Sequence, residues 1–332
     1  MFKKDPLQII VFQTYGTRTH LYLRGRALED EDIDLEKKGI LKVFINSWKR
    51  FETDEIRYAD LILKLPNEQL LRTKADAEGY FLIDQTANDL DALTDEEGWL
   101  HFKASYTDSH ANRKIQLDNV FKGRMLVPKA NSSFGVISDI DDTILHTGVT
   151  SFFKWRAVFN TLFVTPRKRK ALQGSASLYH RFHRGGNGEE ANPIFYVSNS
   201  PWNLYRYLEY FLGKNKFPEG PILLRDIRTP FDKTPKPELA HKFHEIYNIL
   251  KTYPELKFML IGDCGEKDAD IYLQIANEYP DRIAAIYLID VRHDKKRKRI
   301  EALYKDYEHS VFLIVDSEQQ FIEHAKSQGF IL

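Results

Sequence analysis

The stretch Phe134-Gly135-Val136-Ile137-Ser138-Asp139-Ile140-Asp141-Asp142-Thr143 decides how the chain reads. It begins as an apolar run of strand length and ends in a cluster of acids. Further runs of the same kind follow at Ile194 to Val197, Lys257 to Ile261, Ile283 to Ile289 and Val311 to Val315. Segments of helical pattern, such as Pro237 to Leu250 and Asp268 to Glu278, lie between them. Strands alternating with helices predict βαβ units and a mainly parallel α/β sheet. Such sheets bind ligands at the carboxyl ends of their strands, where the strand order reverses. The polar residues that follow each apolar run are therefore the candidates for chemistry.

Residues 1–125 read differently. Short runs of strand chemistry occur at Ile9 to Phe12, His20 to Arg24, Leu61 to Leu65 and Trp99 to Tyr106. Two similar turn signals, Asp76-Ala77-Glu78-Gly79 before Tyr80-Phe81 and Asp95-Glu96-Glu97-Gly98 before Trp99-Leu100, suit tight turns that feed strands. This spacing predicts a small β-sandwich of the immunoglobulin or transthyretin kind over residues 1–125. Met125 to Ser133, with Pro128, Asn131 and paired serines, reads as a link to an α/β domain over residues 131–332. Arg24 and Arg26, on either side of Gly25, fit a solvated strand end as well as a binding role.

Composition narrows the function classes. The chain has 332 residues, 42% of them hydrophobic, which suits packed cores. Lys plus Arg and Asp plus Glu are balanced at 48 each, so no global field draws the protein to nucleic acid or to a membrane. The single cysteine, Cys264, excludes an internal disulfide and a Cys-x-x-Cys zinc site. The apolar run near the start, Ile9 to Phe12, is too short for a signal peptide, and no stretch reaches the roughly 18 apolar residues of a spanning helix. The expectation is a cytoplasmic protein without a nucleic-acid partner, with peripheral membrane contact left open.

Four features end or follow the strands. Asp139 and Asp141, one residue apart, can serve as nucleophile and proton donor in phosphoryl transfer, or can be an acidic turn. Ser198 follows the second run in Ser198-Asn199-Ser200-Pro201 and can hold a phosphoryl oxygen, though Ser and Asn are also ordinary turn residues. Lys242 lies in a helical stretch and by itself reads as solvated. Gly262-Asp263-Cys264-Gly265-Glu266-Lys267-Asp268 puts two acids around a loop that opens a helix, enough for Mg²⁺, although Asp268 also suits a helix cap.

In this order the four features resemble the motifs of the haloacid-dehalogenase (HAD) superfamily. The stretches Gly135 to Ile144, Tyr196 to Trp202 and Leu260 to Gly265 resemble one branch of it. That branch is the phosphatidate phosphatase family first associated with yeast actin patches, which has many bacterial relatives. Leu224-Arg225-Asp226, Tyr15-Gly16-Thr17 and Arg24-Gly25-Arg26 are similar to it as well.

The resemblance implies a HAD-like Rossmannoid catalytic domain that is Mg²⁺-dependent. Asp139 would attack phosphorus to form an aspartyl-phosphate. Asp141 would protonate the leaving alcohol and then activate water. Mg²⁺ would be held by the Asp139 carboxylate, the Asp141 carbonyl and Asp263, with Asp268 in support. Ser198 and Lys242 would hold phosphoryl oxygens. Lys233 and Lys236 compete with Lys242, but their Pro-rich setting suits a loop. Cys264 stands where similar sequences carry Ser, either as an inert buried side chain or as a redox liability.

The implied substrate is phosphatidate, cleaved to diacylglycerol and phosphate. The segment from Ser151 to Gly174 fits that substrate, with Phe152, Phe153, Trp155, Phe159, Leu162 and Phe163 ahead of Arg167-Lys168-Arg169-Lys170. A core-packed helix with a basic end explains the same pattern. His180 and His183 read as helix-surface residues rather than metal ligands. The alternatives are a HAD phosphatase acting on a soluble ester and a lipid-binding scaffold with a dormant site. No actin-associated partner is expected, because the chain ends at Leu332 with no Pro-rich tail.

Overall fold

The computed structural model describes residues 6–29, 55–107, 113–140, 166–225, 240–265 and 267–332. Two compact units divide the chain, Met1–Lys129 and Ala130–Leu332.

The first unit is built of strands. A three-stranded antiparallel sheet has the order β1 (Leu7–Val11), β3 (His20–Glu29), β6 (Tyr80–Thr86). A second sheet runs β2 (Thr14–Tyr15), β8 (Phe121–Leu126), β7 (Trp99–Tyr106), β4 (Asp60–Lys64), β5 (Leu70–Lys74). Burial alternates along β3, so Leu21, Leu23 and Ala27 point inward. They share one apolar cluster with Leu61, Leu63, Leu100, Phe102 and Ala104 of the other sheet. The two acidic turns have the same construction. Asp76 Oδ1 accepts from the backbone N–H groups of Glu78 and Tyr80, and Asp95 Oδ1 from those of Glu97 and Trp99. Gly79 and Gly98 supply the positive φ that each turn needs.

The second unit is a six-stranded parallel sheet with helices. Its strands are β9 (Gly135–Asp139), β10 (Ile194–Pro201), β11 (Ile222–Arg225), β12 (Phe258–Asp263), β13 (Ile283–Ile289) and β14 (Val311–Val315). The helices are α1 (Pro166–Arg184), α2 (Tyr205–Lys214), α3 (His241–Thr252), α4 (Asp268–Glu278), α5 (Asp294–Leu303) and α6 (Glu318–Ser327). Every residue of β9 and β12 is buried, which is why both read as continuous apolar runs.

The strand order is β11-β10-β9-β12-β13-β14. The chain first builds outward from β9 to one edge, then returns to the other side of β9 and builds to the opposite edge. Order therefore reverses between β9 and β12, which pair from Phe258↔Gly135 to Ile261↔Ser138. A ligand crevice belongs there, at the carboxyl ends of these two strands. Asp139 ends β9 and Asp263 ends β12. The helix expected from Pro237 is found over His241–Thr252, and residues 226–239, with Lys233 and Lys236, lie outside the described residues.

Candidate active site

Three carboxylates converge at the reversal point. Ligand atoms of Asp139, Asp263 and Asp268 all lie within 4.8 Å of one another, and all three residues are 0% exposed. Asp139 and Asp263 arrive from neighbouring strands. Asp268 is the first residue of α4, where the positive end of the helix favours an anion. Its Oδ2 accepts from the Asp263 backbone N–H at 3.3 Å, folding the loop between the two acids back on itself. Gly262 permits this closeness, because a Cβ there would meet Asp268 Oδ2 at 2.6 Å. The Gly265 N–H donates to Asp263 Oδ1 and orients that carboxylate.

Lys242 is the counter-charge. It is the second residue of α3 and only 2% exposed. Its Nζ lies 2.9 Å from Asp139 Oδ1 and donates to Asp268 Oδ1 at 2.7 Å. The lysine that by itself reads as solvated, and that the motif resemblance places in the site, is buried beside the acids. Lys242 stands one helical turn before Ile246 and two before Ile249, on the buried face of α3. Among the described residues, one ammonium against three carboxylates leaves the cluster electron-rich. Burial holds the Asp268 carboxyl well above its ordinary range, and Asp139 and Asp263 add to that shift while Lys242 opposes it.

Neither oxygen of Asp139 accepts a hydrogen bond within the described residues. Oδ1 has the close ion pair with Lys242, out of line for a hydrogen bond, and Oδ2 has no hydrogen-bond donor among the described residues. A buried carboxylate oxygen in that state is costly unless something else binds it. A hard divalent cation fits this donor set, since Mg²⁺ takes oxygen ligands and needs only one or two carboxylates.

Ser198 lies on β10, one residue beyond Val197, which is level with Asp139 across the sheet. It is fully buried, and its Oγ accepts from the Ser200 backbone N–H at 2.9 Å. Asp141 lies outside the described residues, and so do the side chains of the aromatic and basic segment 151–174. His180 and His183 contact the backbone carbonyls of Lys216 and Asn192.

Sequence reasoning missed the support behind Asp139. Ser138 Oγ donates to the Asp139 carbonyl at 3.0 Å and lies 2.5 Å from the hydroxyl of Tyr179 on α1. Serine has a single hydroxyl proton, so in this arrangement Tyr179 donates to Ser138. The chain of bonds fixes the last peptide of β9, and a buried tyrosine in the pattern of α1 gave no sign of it.

Residues 134–290 match the family profile described as phosphatidate phosphatase APP1, catalytic domain. That stretch of the chain is homologous to this phosphatase domain. Phosphatidate phosphatase APP1 of Saccharomyces cerevisiae is 39% identical over 155 residues, covering 46% of this chain and 25% of the yeast protein. An uncharacterised protein of Schizosaccharomyces pombe is 30% identical over 222 residues, covering 66% of this chain and 34% of its own length. The chain thus spans about a quarter to a third of the curated relatives it matches. A solved carbohydrate esterase aligns with a TM-score of 0.21 at 9% identity over 98% of this chain and 97% of its own, too low a likeness to bear on fold or function. The matched segment contains Asp139, Ser198, Lys242, Asp263 and Asp268. Among the described residues, no helix is long and apolar enough to cross a membrane.

Cys264 sits inside this segment, next to Asp263. It is 2% exposed, and burial, with Asp290 and Asp263 adding to the effect, pushes its thiol up to about 12. The thiolate is the reactive form. Iodoacetamide at neutral pH is expected to leave Cys264 unmodified in the folded protein and to label it after unfolding, as read by mass spectrometry. Rapid labelling of the folded chain would show that the thiol is accessible and contradict the inert reading.

Proposed function

We propose that the second unit is a Mg²⁺-dependent phosphatase of the HAD superfamily, acting on a phosphate monoester through an aspartyl-phosphate on Asp139, with phosphatidate as the substrate. One observation carries this reading: the buried group of Asp139, Asp263 and Asp268 around Lys242, at the strand-order reversal of a segment homologous to a phosphatidate phosphatase domain.

The chemistry follows from the residues. The exit oxygen of a phosphate ester is a poor leaving group unless it is protonated, and water is a poor nucleophile. A carboxylate that attacks phosphorus divides the reaction into two easier steps. The Asp139 carboxylate forms an O–P bond while the ester P–O bond breaks, and the leaving oxygen takes a proton from Asp141. Asp141, now a carboxylate, then takes a proton from water as the water oxygen bonds to phosphorus. The Asp139–phosphate bond breaks, phosphate leaves and Asp139 is restored. Lys242 offsets the charge that builds up between Asp139 and Asp268, and Ser198 holds a phosphoryl oxygen from the neighbouring strand.

Mg²⁺ would be held by Asp139 and Asp263, with Asp268 and the Asp141 carbonyl completing its surroundings. When bound, it offsets phosphate charge and favours in-line geometry.

The test is phosphate release from phosphatidate vesicles and from a panel of soluble esters, with Mg²⁺ or with chelator. Release from phosphatidate is expected, and chelation should abolish it. Saturating Mg²⁺ should also raise the melting temperature, since a ligand at a hundred times its Kd adds about 2.7 kcal/mol to stability. Release from soluble esters alone would move the assignment to a general phosphatase. Release that is indifferent to chelator would overturn the metal role. No release from any ester would favour a scaffold with a dormant site.

A further inference from the structure

The segment Arg292 to Arg299 carries the densest charge in the described part of the second unit. It reads Arg292-His293-Asp294-Lys295-Lys296-Arg297-Lys298-Arg299, with six Lys or Arg residues against one acid, in a chain whose total charge balances at 48 against 48. It follows β13 and forms the first turns of α5, at the carboxyl ends of the strands, where the acid cluster also lies.

The six cations fall into two sets. The first set holds the segment in place. Lys296 Nζ donates to the carbonyl of Gly265, whose own N–H donates to Asp263 Oδ1. Arg297 joins Asp290, Asp316 and Glu301, and Arg299 pairs with Asp270 at the start of α4. The second set is Arg292, Lys295 and Lys298. All three are exposed. Lys295 and Lys298 lie three apart on α5, away from Ile300, which is 2% exposed and faces the core. Arg292 stands three residues before Lys295, just ahead of the helix.

We propose that Arg292, Lys295 and Lys298 form a contact surface for an anionic phospholipid bilayer, beside the active site. A single phosphate is usually gripped by buried donors that converge on it, whereas these three are exposed within seven residues of one another, as contact with an array of headgroups requires. Single-stranded nucleic acid is bound by stacking on aromatic rings as well as by charge, and residues 292–299 include no Phe, Tyr or Trp. The contact is electrostatic, with no apolar side chain to insert. Because Lys296 ties the segment to the Asp263 loop, the bilayer would be held next to the site. The choice of lipid as the anion rests on the phosphatidate reading above.

The experiment is vesicle flotation with the full chain, which needs no turnover, so its result stands apart from the phosphatase assay. Vesicles of phosphatidylcholine with phosphatidylserine are expected to retain the protein at low salt and to release it at high salt, while phosphatidylcholine alone does not retain it. Combining Arg292→Gln, Lys295→Gln and Lys298→Gln is expected to weaken partitioning roughly 100-fold, at about fivefold per charge. An unchanged melting temperature would show that the variant is folded. Equal retention on phosphatidylcholine, no retention on the mixed vesicles, or undiminished retention of the variant would each overturn the proposal. So would tighter binding to single-stranded RNA than to the mixed vesicles.

Discussion

Replacing Asp139 with Asn is expected to lower phosphate release by on the order of 10⁴-fold or more while leaving the fold intact. Asn matches Asp in size, so the packing at the end of β9 is kept. An amide cannot form the acyl phosphate, so the first step of the proposed reaction is lost. The electrostatics make the experiment sharper. Among the described residues, three buried carboxylates stand close together and Lys242 pairs with two of them, so removing one of those charges relieves repulsion at the site. Without added metal, the variant should melt at or above the wild-type temperature. Loss of activity in a protein that is no less stable separates a chemical role from a structural one. Sustained turnover in a clean preparation would mean that Asp139 is not the nucleophile. A protein that is inactive and also much less stable would leave Asp139 as a packing residue.

The second large effect concerns Lys242. Lys242→Met keeps the length of the side chain and removes its charge. It removes the cation that pairs with Asp139 and Asp268, both 0% exposed. Breaking a buried ion pair from one side costs about 3–5 kcal/mol. For a unit of this size that corresponds to a melting temperature lower by roughly 10 °C. The loss should depend on pH. The folded-state pKa of Asp268 is raised above the ordinary aspartate value of 3.8. A carboxyl shifted upward contributes stability below its unfolded value, and that contribution fades as pH rises through the folded value. The Lys242→Met deficit should therefore be largest above the raised value and shrink as the solution is acidified. Adding Asp268→Asn to Lys242→Met removes a charge left unpaired and should restore part of the lost stability. Thermal melts of the four proteins across pH test this coupling. Strict additivity of the two substitutions, or a deficit that grows on acidification, would refute the ion-pair account.

Much of the second unit was legible because its central strands are buried on both faces and its outer ones are still continuous apolar runs. Ile283–Ile289 and Val311–Val315 coincide with the apolar runs that announced them. Ile222–Arg225 was missed as a strand, since it has only four residues and follows a proline. In the first unit, Leu70–Lys74 escaped because only Leu71 is buried, and Phe121–Leu126 because Lys122, Gly123 and Arg124 interrupt its pattern. The acids of the site could be read because strand ends are where parallel sheets bind ligands. Lys242 needed the motif order, since a helical lysine is ordinarily solvated. Tyr179 and Lys296 act through contacts between elements far apart in sequence, and no local pattern announces such contacts.

The reversal of strand order between β9 and β12 has a consequence for how the chain is made. β9 emerges from the ribosome early, but its partner on that side, Phe258–Asp263, comes more than a hundred residues later. At typical synthesis rates the wait is on the order of ten seconds. During it, an apolar strand edge stands open to mispairing with other nascent chains. Asp139 at the end of that strand is then still in water and charged. A charge at the margin of a sticky segment discourages aggregation, so the residue that the finished fold buries among acids also guards β9 while it waits.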